Sequence, residues 1–289
     1  MRDIYRILRT GLPVAFGSVR LVWLLLAVNL AFALLALLPA LTALDRLLAP
    51  VGSWEGLLQT WPAWFDADFR THAAPSLQIF SHQVALVIFL DTLVSAFLTA
   101  GCLGVLHDAD GSFSLGAFFR GCGHYGFAFL RLLAVFLAAS WLVVWLAGAQ
   151  LGAVVGSLAF DWPSQRGATL LHAGQELVVV VLFYLLTWAA ELSRVRLVVE
   201  KRRSALGSFL AGLSLLVRRF PRVLGIFGTL AALQVLFLGG SAWLLNSIPA
   251  TSTLGLCLLV VYGQLVIGVR LAFRLAGLEC GRRWFLETH

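Results

Sequence analysis

Six stretches of this chain are apolar for about 20 residues or more, the length a helix needs to cross the hydrocarbon core of a bilayer. They cover roughly 20–40, 78–106, 129–158, 169–190, 222–246 and 252–275. A chain in lipid must pair its backbone groups internally, which makes helices the expectation. The ten-residue alternation of a transmembrane barrel is absent. The second and third runs exceed the minimum, so they predict helices that tilt or extend past the bilayer. Composition points the same way. Only 12% of the 289 residues are charged and 60% are hydrophobic, whereas a soluble domain is about 25% charged. Such a chain cannot cover its surface with polar groups.

Arginine and lysine set the orientation. With the N-terminus inside, all but Arg46, Arg70 and Arg166 of the 21 basic residues fall on the inner side. Both termini are therefore expected in the cytoplasm, with the chain multi-pass in a bacterial cytoplasmic (inner) membrane. The run 21–38 is long enough to stay as a first helix, and its end lacks a small-x-small cleavage site. The net charge of +7 then reads as an orientation signal facing the anionic headgroups of the lipid bilayer. No nucleic-acid partner is expected.

Three segments share one layout: a short amphipathic stretch, an arginine, then an apolar run. The arginines are Arg20, Arg131 and Arg222. Lined up on them, Ile4 matches Leu115 and Leu206, and Ile7 matches Phe118 and Phe209. Leu8 matches Phe119 and Leu210, and Val14 matches Tyr125 and Leu216. The spacing is helical and gives each segment an apolar face. The amphipathic parts are roughly 3–17, 113–128 and 204–219. Gly121 and Gly212 also coincide. The expected fold is an all-α polytopic membrane protein with six transmembrane helices as three hairpins, each preceded by a cytoplasmic amphipathic interfacial helix. It forms a single membrane domain over 1–289, with internal repeats over 1–107, 112–199 and 204–277. The competing explanation is that any inner membrane end carries arginine and any short membrane-side helix is amphipathic. A belt of Arg9, Arg20, Arg120, Arg131, Arg202, Arg203, Arg218, Arg219 and Arg222 would face anionic headgroups or a membrane-protein partner.

Polar residues inside the spans are few. Asp91 sits near the middle of the second, where insertion scales put the cost of a carboxylate at about 2.5–3.5 kcal/mol. Asn29, Gln234 and Gln264 lie at similar depth and would meet it if their helices adjoin. The cluster is either a proton or cation relay in a polar pocket, or a structural contact between helices. His172 and Glu176, four apart, are expected to pair near the outer end of the fourth span. Gly148, Gly152 and Gly156 give two overlapping GxxxG spacings, which allow close helix approach within the bundle or between protomers.

Other features carry less chemistry. The outer loop at about 41–77 holds Trp54, Trp61, Trp64, Phe65 and Phe69, suited to the membrane–water boundary. Asp108-Ala109-Asp110-Gly111 reads as a turn before a helix capped by Ser112 or Ser114. The four cysteines form no CxxC and read as free thiols used as small apolar residues. The six histidines show no paired ligand spacing, and no GxSxG elbow, P-loop or dinucleotide-binding glycine motif occurs. No cofactor or metal is expected.

Phe118-Phe119-Arg120-Gly121 ahead of Arg131 resembles a loose group of bacterial six-span proteins, and so does Arg196-Leu197-Val198-Val199-Glu200 followed by Arg202, Arg203 and the third amphipathic segment. The group includes the membrane domain attached to some glycerophosphodiester phosphodiesterases. The resemblance covers the helical core and implies a fold. The acidic metal-binding motifs of the phosphodiesterase domain have no counterpart in these residues, so it implies no activity. Two functions follow as expectations. One is a non-enzymatic scaffold or accessory subunit using the basic belt. The other is a transporter or channel for a small solute, ion or lipid, with Asp91 as coupling group. An intramembrane enzyme is a distant third.

Overall fold

The computed structural model describes residues 2–48, 63–108, 114–160, 162, 164–201, 204–247 and 253–288. Among them the regular structure is entirely helical. The elements are α1 (Arg2–Gly17), α2 (Val19–Leu48), α3 (Ala63–Asp108), α4 (Leu115–Phe160), α5 (Gln165–Val199), α6 (Ala205–Arg218), α7 (220–247) and α8 (Thr253–Thr288). A π-helical stretch widens α4 at Val144–Gln150 and another widens α7 at Leu224–Gly228. Six helices are long and apolar enough to cross a membrane, at Val19–Leu38, Ser81–His107, Leu115–Phe160, Gln165–Val199, Phe220–Leu245 and Cys257–Glu287. The protein is an all-α polytopic membrane protein.

Several helices run further than the apolar runs predict. Arg131, Arg194, Arg270 and Arg274 lie inside helices rather than at their ends. Arginine loses little rotamer freedom in a helix, so a change from apolar to basic does not stop one. The expected loop at 41–77 shrinks for the same reason. Residues 41–48 belong to α2 and 63–77 to α3, so Trp64, Phe65 and Phe69 sit on the first turns of α3. Trp54 and Trp61 lie outside the described residues.

The three amphipathic segments end differently. Ser18 separates α1 from α2: its N–H donates to the Val14 carbonyl, and its own carbonyl accepts from Leu21 and Val22. Arg219, at φ −121° and ψ 32°, separates α6 from α7. Pro221 follows, has no N–H, and crowds the carbonyl four residues back. The middle segment has Ala128-Phe129-Leu130 at the matching positions, with no breaker among them. The helix therefore runs unbroken from Leu115 through Arg131, and 113–128 forms no separate interfacial helix. Ser114 caps α4 by accepting from the Ala117 N–H at 3.1 Å. Ser164 and Ser204 cap α5 and α6 in the same way. Ser112 lies outside the described residues.

The chain divides into two compact units. The smaller, Trp23–Ser95, holds most of α2 and the first part of α3. Its apolar side chains are largely exposed, among them Leu34, Leu38, Leu86 and Phe89. The larger comprises Met1–Val22 and Ala96–His289. Its core lies at the arginine-rich ends of the spans. Leu21, Leu103, Phe118, Phe129, Leu132, Leu192, Ile226 and Leu278 are fully buried there. The opposite halves leave Val154, Leu158, Leu177, Leu236, Trp243 and Val260 exposed. Lipid tails solvate leucine as well as a protein core does, so no hydrophobic force draws these halves together.

Three close crossings organise this core. Gly121 of α4 lies against the Ala100 carbonyl and Gly104 of α3. Gly212 of α6 lies against the Ala189 carbonyl and Ser193 of α5. Gly11 of α1 lies against Cys280 of α8. Each surface is a small residue four positions after an alanine, and Ala100, Ala189 and Ala276 are all fully buried. Missing β-carbons allow backbones to approach this closely. Some aligned positions agree in burial: Ile7, Phe118 and Phe209 are buried, as are Leu21, Leu132 and Val223 just after the anchoring arginines. Val14, by contrast, is half-buried opposite buried Tyr125 and Leu216, and Leu8 is half-buried opposite exposed Phe119 and Leu210. Leu115 and Leu206 are exposed, and so are Phe119 and Leu210, leaving a second apolar stripe uncovered.

Candidate functional site

The arginines at the core end of the larger unit divide into two groups. The first is bonded to the protein. Arg194 pairs with Glu191, and Arg196 with Glu200 at 2.8 Å. Arg282 and Arg283 both bond Glu279, whose side chain is 1% exposed. Arg274 donates to the Thr99 hydroxyl at 2.9 Å, tying α8 to the end of α3. Arg6 pairs with Glu287 at 3.0 Å across α1 and α8, at side-chain exposures of 63% and 39%. So open a pair contributes about 0–1 kcal/mol.

The second group holds the belt together with Arg270 of α8, which is exposed and, among the described residues, likewise unbonded. Arg9, Arg20, Arg120, Arg131, Arg218 and Arg222 are exposed and Arg219 is half-buried. Among the described residues none of these seven has a hydrogen-bonding or ion-pairing side chain. Arg202 and Arg203 lie outside the described residues. Arginine presents five donors in a planar fork matched to phosphate and carboxylate. Seven unsatisfied forks amid exposed apolar side chains such as Phe119, Val217 and Phe220 suit an interface carrying both anions and hydrocarbon.

The intramembrane polar residues are less concentrated. Asp91 is half-buried on α3, and among the described residues no side chain bonds it. Asn29, in the same unit, donates its amide to the Leu25 carbonyl of its own helix at 2.9 Å, and no hydrogen bond joins it to Asp91. Gln234 and Gln264 are half-buried on α7 and α8 and make no hydrogen bond to each other. His172 and Glu176 are exposed on α5, and the pairing expected of them does not form within 4.0 Å.

Gln175, one residue from Glu176, takes the structural role instead. Its Nε2 donates to the Gly148 carbonyl at 3.0 Å, inside the π-helical stretch of α4. The space a methyl on Gly152 would take is filled by the same amide. Two glycines of the GxxxG series thus serve the α4–α5 contact, while Gly156 faces open space. Nothing in the sequence marks Gln175, because a π-helical stretch has no composition signal. Glu279 also escaped notice, as a charge among arginines near a membrane end reads as solvated. The alanine-x-x-x-small pairs were visible, recurring near the end of the second, fourth and sixth spans. Among the described residues no group of three or more His, Cys, Asp or Glu could hold a metal ion. No family model, curated protein or solved structure matches this chain.

Proposed function

We propose that this protein is a non-enzymatic scaffold or accessory subunit of a bacterial inner membrane. Its seven unpaired arginines face the cytoplasmic leaflet and gather anionic headgroups. One observation carries the reading: at the same end of the spans but outside the belt, Arg6, Arg194, Arg196, Arg274, Arg282 and Arg283 find protein partners, with Arg270 the exception, whereas among the described residues the belt arginines find none. An arginine near an anionic leaflet contributes about 1 kcal/mol to lipid attraction, so seven acting together outweigh the loss of any one. The excess of arginine at these helix ends supports the orientation. The three glycine crossings, with the shared burial of Ile7, Phe118 and Phe209, support an internal repeat in which each amphipathic segment rests on the inner end of another hairpin. The resemblance to the phosphodiesterase-associated membrane domain belongs to the same proposal, for the fold alone.

The test is lipid selection by the full chain in nanodiscs containing phosphatidylglycerol and phosphatidylcholine. The protein should enrich phosphatidylglycerol in its shell, less so as salt is raised. Replacing Arg120, Arg218, Arg219 and Arg222 by glutamate should abolish the enrichment. Unchanged enrichment sinks the lipid reading, and capture of an acidic membrane protein by the wild type alone would replace it.

A second reading, transport, has one observation in its favour: the half-buried carboxylate of Asp91 in mid-span, to which no side chain among the described residues is bonded. It requires flux through proteoliposomes that Asp91→Asn lowers at least tenfold. Flux indifferent to the substitution removes Asp91 from any coupling role.

A further inference from the structure

A groove of about 480 Å³ opens where α1 gives way to α2. Val14, Arg20 and Leu21 line it from these two helices, Ser18 from the break between them, and Val105 and Leu106 from the end of α3. Its walls are mainly apolar, and Leu21, Val105 and Leu106 are otherwise buried in the core. Among the described residues of its lining, the exposed guanidinium of Arg20 is the one charged side chain. Val19, on the lining, is exposed and extends the apolar surface outward. The helix break at Ser18 creates this space. Arg131 anchors the middle segment inside an unbroken helix, with no such break to open a groove.

We infer that this groove seats the phosphate and first acyl carbons of one bilayer phospholipid, with Arg20 bonding the phosphate. The inference rests on the reading that the unpaired arginines meet anionic headgroups, and adds one saturable site to that diffuse attraction. An amphiphile fits best. A wholly polar anion would leave the apolar walls uncovered, and a wholly apolar ligand would leave the cation unmatched. The volume lies within the range of about 300–1,000 Å³ typical of small-ligand sites, enough for a headgroup and the start of the chains. The groove also lies where the apolar run of α2 begins, the depth of lipid phosphates in a helix anchored by arginine.

The test uses the full chain in mild detergent, titrated with phosphatidylglycerol and read by native mass spectrometry. One lipid should stay bound after the others are stripped. Arg20→Gln should weaken that lipid at least about tenfold, the loss for one charge-assisted bond. Val14→Trp, which keeps the cation and fills the groove, should do the same, with an unchanged thermal midpoint for both variants. Arg131→Gln should retain the lipid. Full retention by Arg20→Gln and Val14→Trp overturns the site. Binding of inorganic phosphate to the wild type in equal measure overturns the lipid assignment in favour of a free anion. If no lipid is tightly held, yet charge reversal of the belt still removes phosphatidylglycerol enrichment, the groove fails and the belt stands. If neither effect appears, both fall.

Discussion

Gly104 and Gly121 meet backbone to backbone: a methyl on Gly104 would stand 2.8 Å from the α-carbon of Gly121. No side chain can move aside there, because both partners are main chain. A methyl on Gly212 would stand 2.7 Å from the Ala189 carbonyl oxygen. Gly104→Val and Gly212→Val should each cost about 1–3 kcal/mol by overpacking, read as a lower thermal midpoint in detergent. Gly116→Ala is the control. Nothing lies within 4 Å of its added methyl, and alanine favours a helix over glycine by about 1 kcal/mol, so its midpoint should hold or rise.

Glu279 should be the costliest single charge to remove. Its carboxylate accepts from Arg282 Nε at 2.8 Å, Arg282 Nη2 at 2.9 Å and Arg283 Nε at 2.6 Å. In the alignment made by the alanine-x-x-x-small pairs it occupies the place of Leu103 and Leu192, which are equally buried. Breaking a fully buried pair costs about 3–5 kcal/mol. The arginines here reach water, which lowers the expectation for Glu279→Gln to about 1–3 kcal/mol. Glu287→Gln, which opens only the exposed pair with Arg6, should lower the midpoint far less. Equal losses would mean that burial of the carboxylate contributes nothing.

Lys201 holds a positive φ of 49° just past the end of α5. Its N–H reaches the Val198 carbonyl at 3.4 Å and that of Glu200 reaches Arg196 at 2.9 Å, closing the helix through a left-handed residue. A lysine there crowds its own β-carbon, which glycine lacks. Lys201→Gly should therefore stabilise the protein by about 0.5–1 kcal/mol, and Lys201→Val should destabilise it by more than that. A midpoint unmoved by either substitution would show that the turn is not maintained in the folded protein.

Much of this architecture was legible because lipid imposes a simple rule. Backbone groups must pair within the helix, so apolar length alone predicts the spans. The amphipathic spacing likewise predicts that Ile7, Phe118 and Phe209 share an environment, and all three are buried. The shared apolar spacing instead predicts a separate helix over 113–128, because it takes no account of breakers: Pro221 interrupts the third segment and nothing interrupts the second at Arg131. The intramembrane contacts were not legible. Asn29 satisfies itself on its own helix, a choice that depends on rotamer rather than position. His172 and Glu176 share a helix face without pairing, since a four-residue spacing permits a contact without compelling it. The division of arginines into bonded and unbonded groups depends on where Glu191, Glu200 and Glu279 come to lie, which loop charge counts do not contain.

The π-helical stretch at Val144–Gln150 offers a measurement of how a membrane helix tolerates a widened turn. Widening disturbs the regular ladder, and a carbonyl left short of donors in hydrocarbon costs free energy. The Gly148 carbonyl accepts from the Leu151 N–H of its own helix and takes a second donor from Gln175 on α5. In the other widened stretch, the Gly225 carbonyl accepts from the Thr229 hydroxyl at 2.6 Å within its own helix. The two solutions differ in what they couple. Thr229→Val removes a bond local to α7. Gln175→Leu removes a bond between α4 and α5 and presses branched methyls toward Gly152, where the amide now fits. Interhelical side-chain bonds in membranes contribute about 0.6 kcal/mol on average and up to about 1.7. Gln175→Leu should lie at the upper end of that range or beyond it, because steric mismatch adds to the lost bond. Gln175→Glu, which cannot donate when ionised, should be at least as damaging and should recover partly at low pH, as protonation returns a donor and removes the charge. Thermal midpoints of the three variants against pH check the ordering. Loss in Thr229→Val equal to that in Gln175→Leu would show that the link to α5 contributes nothing beyond satisfying one carbonyl.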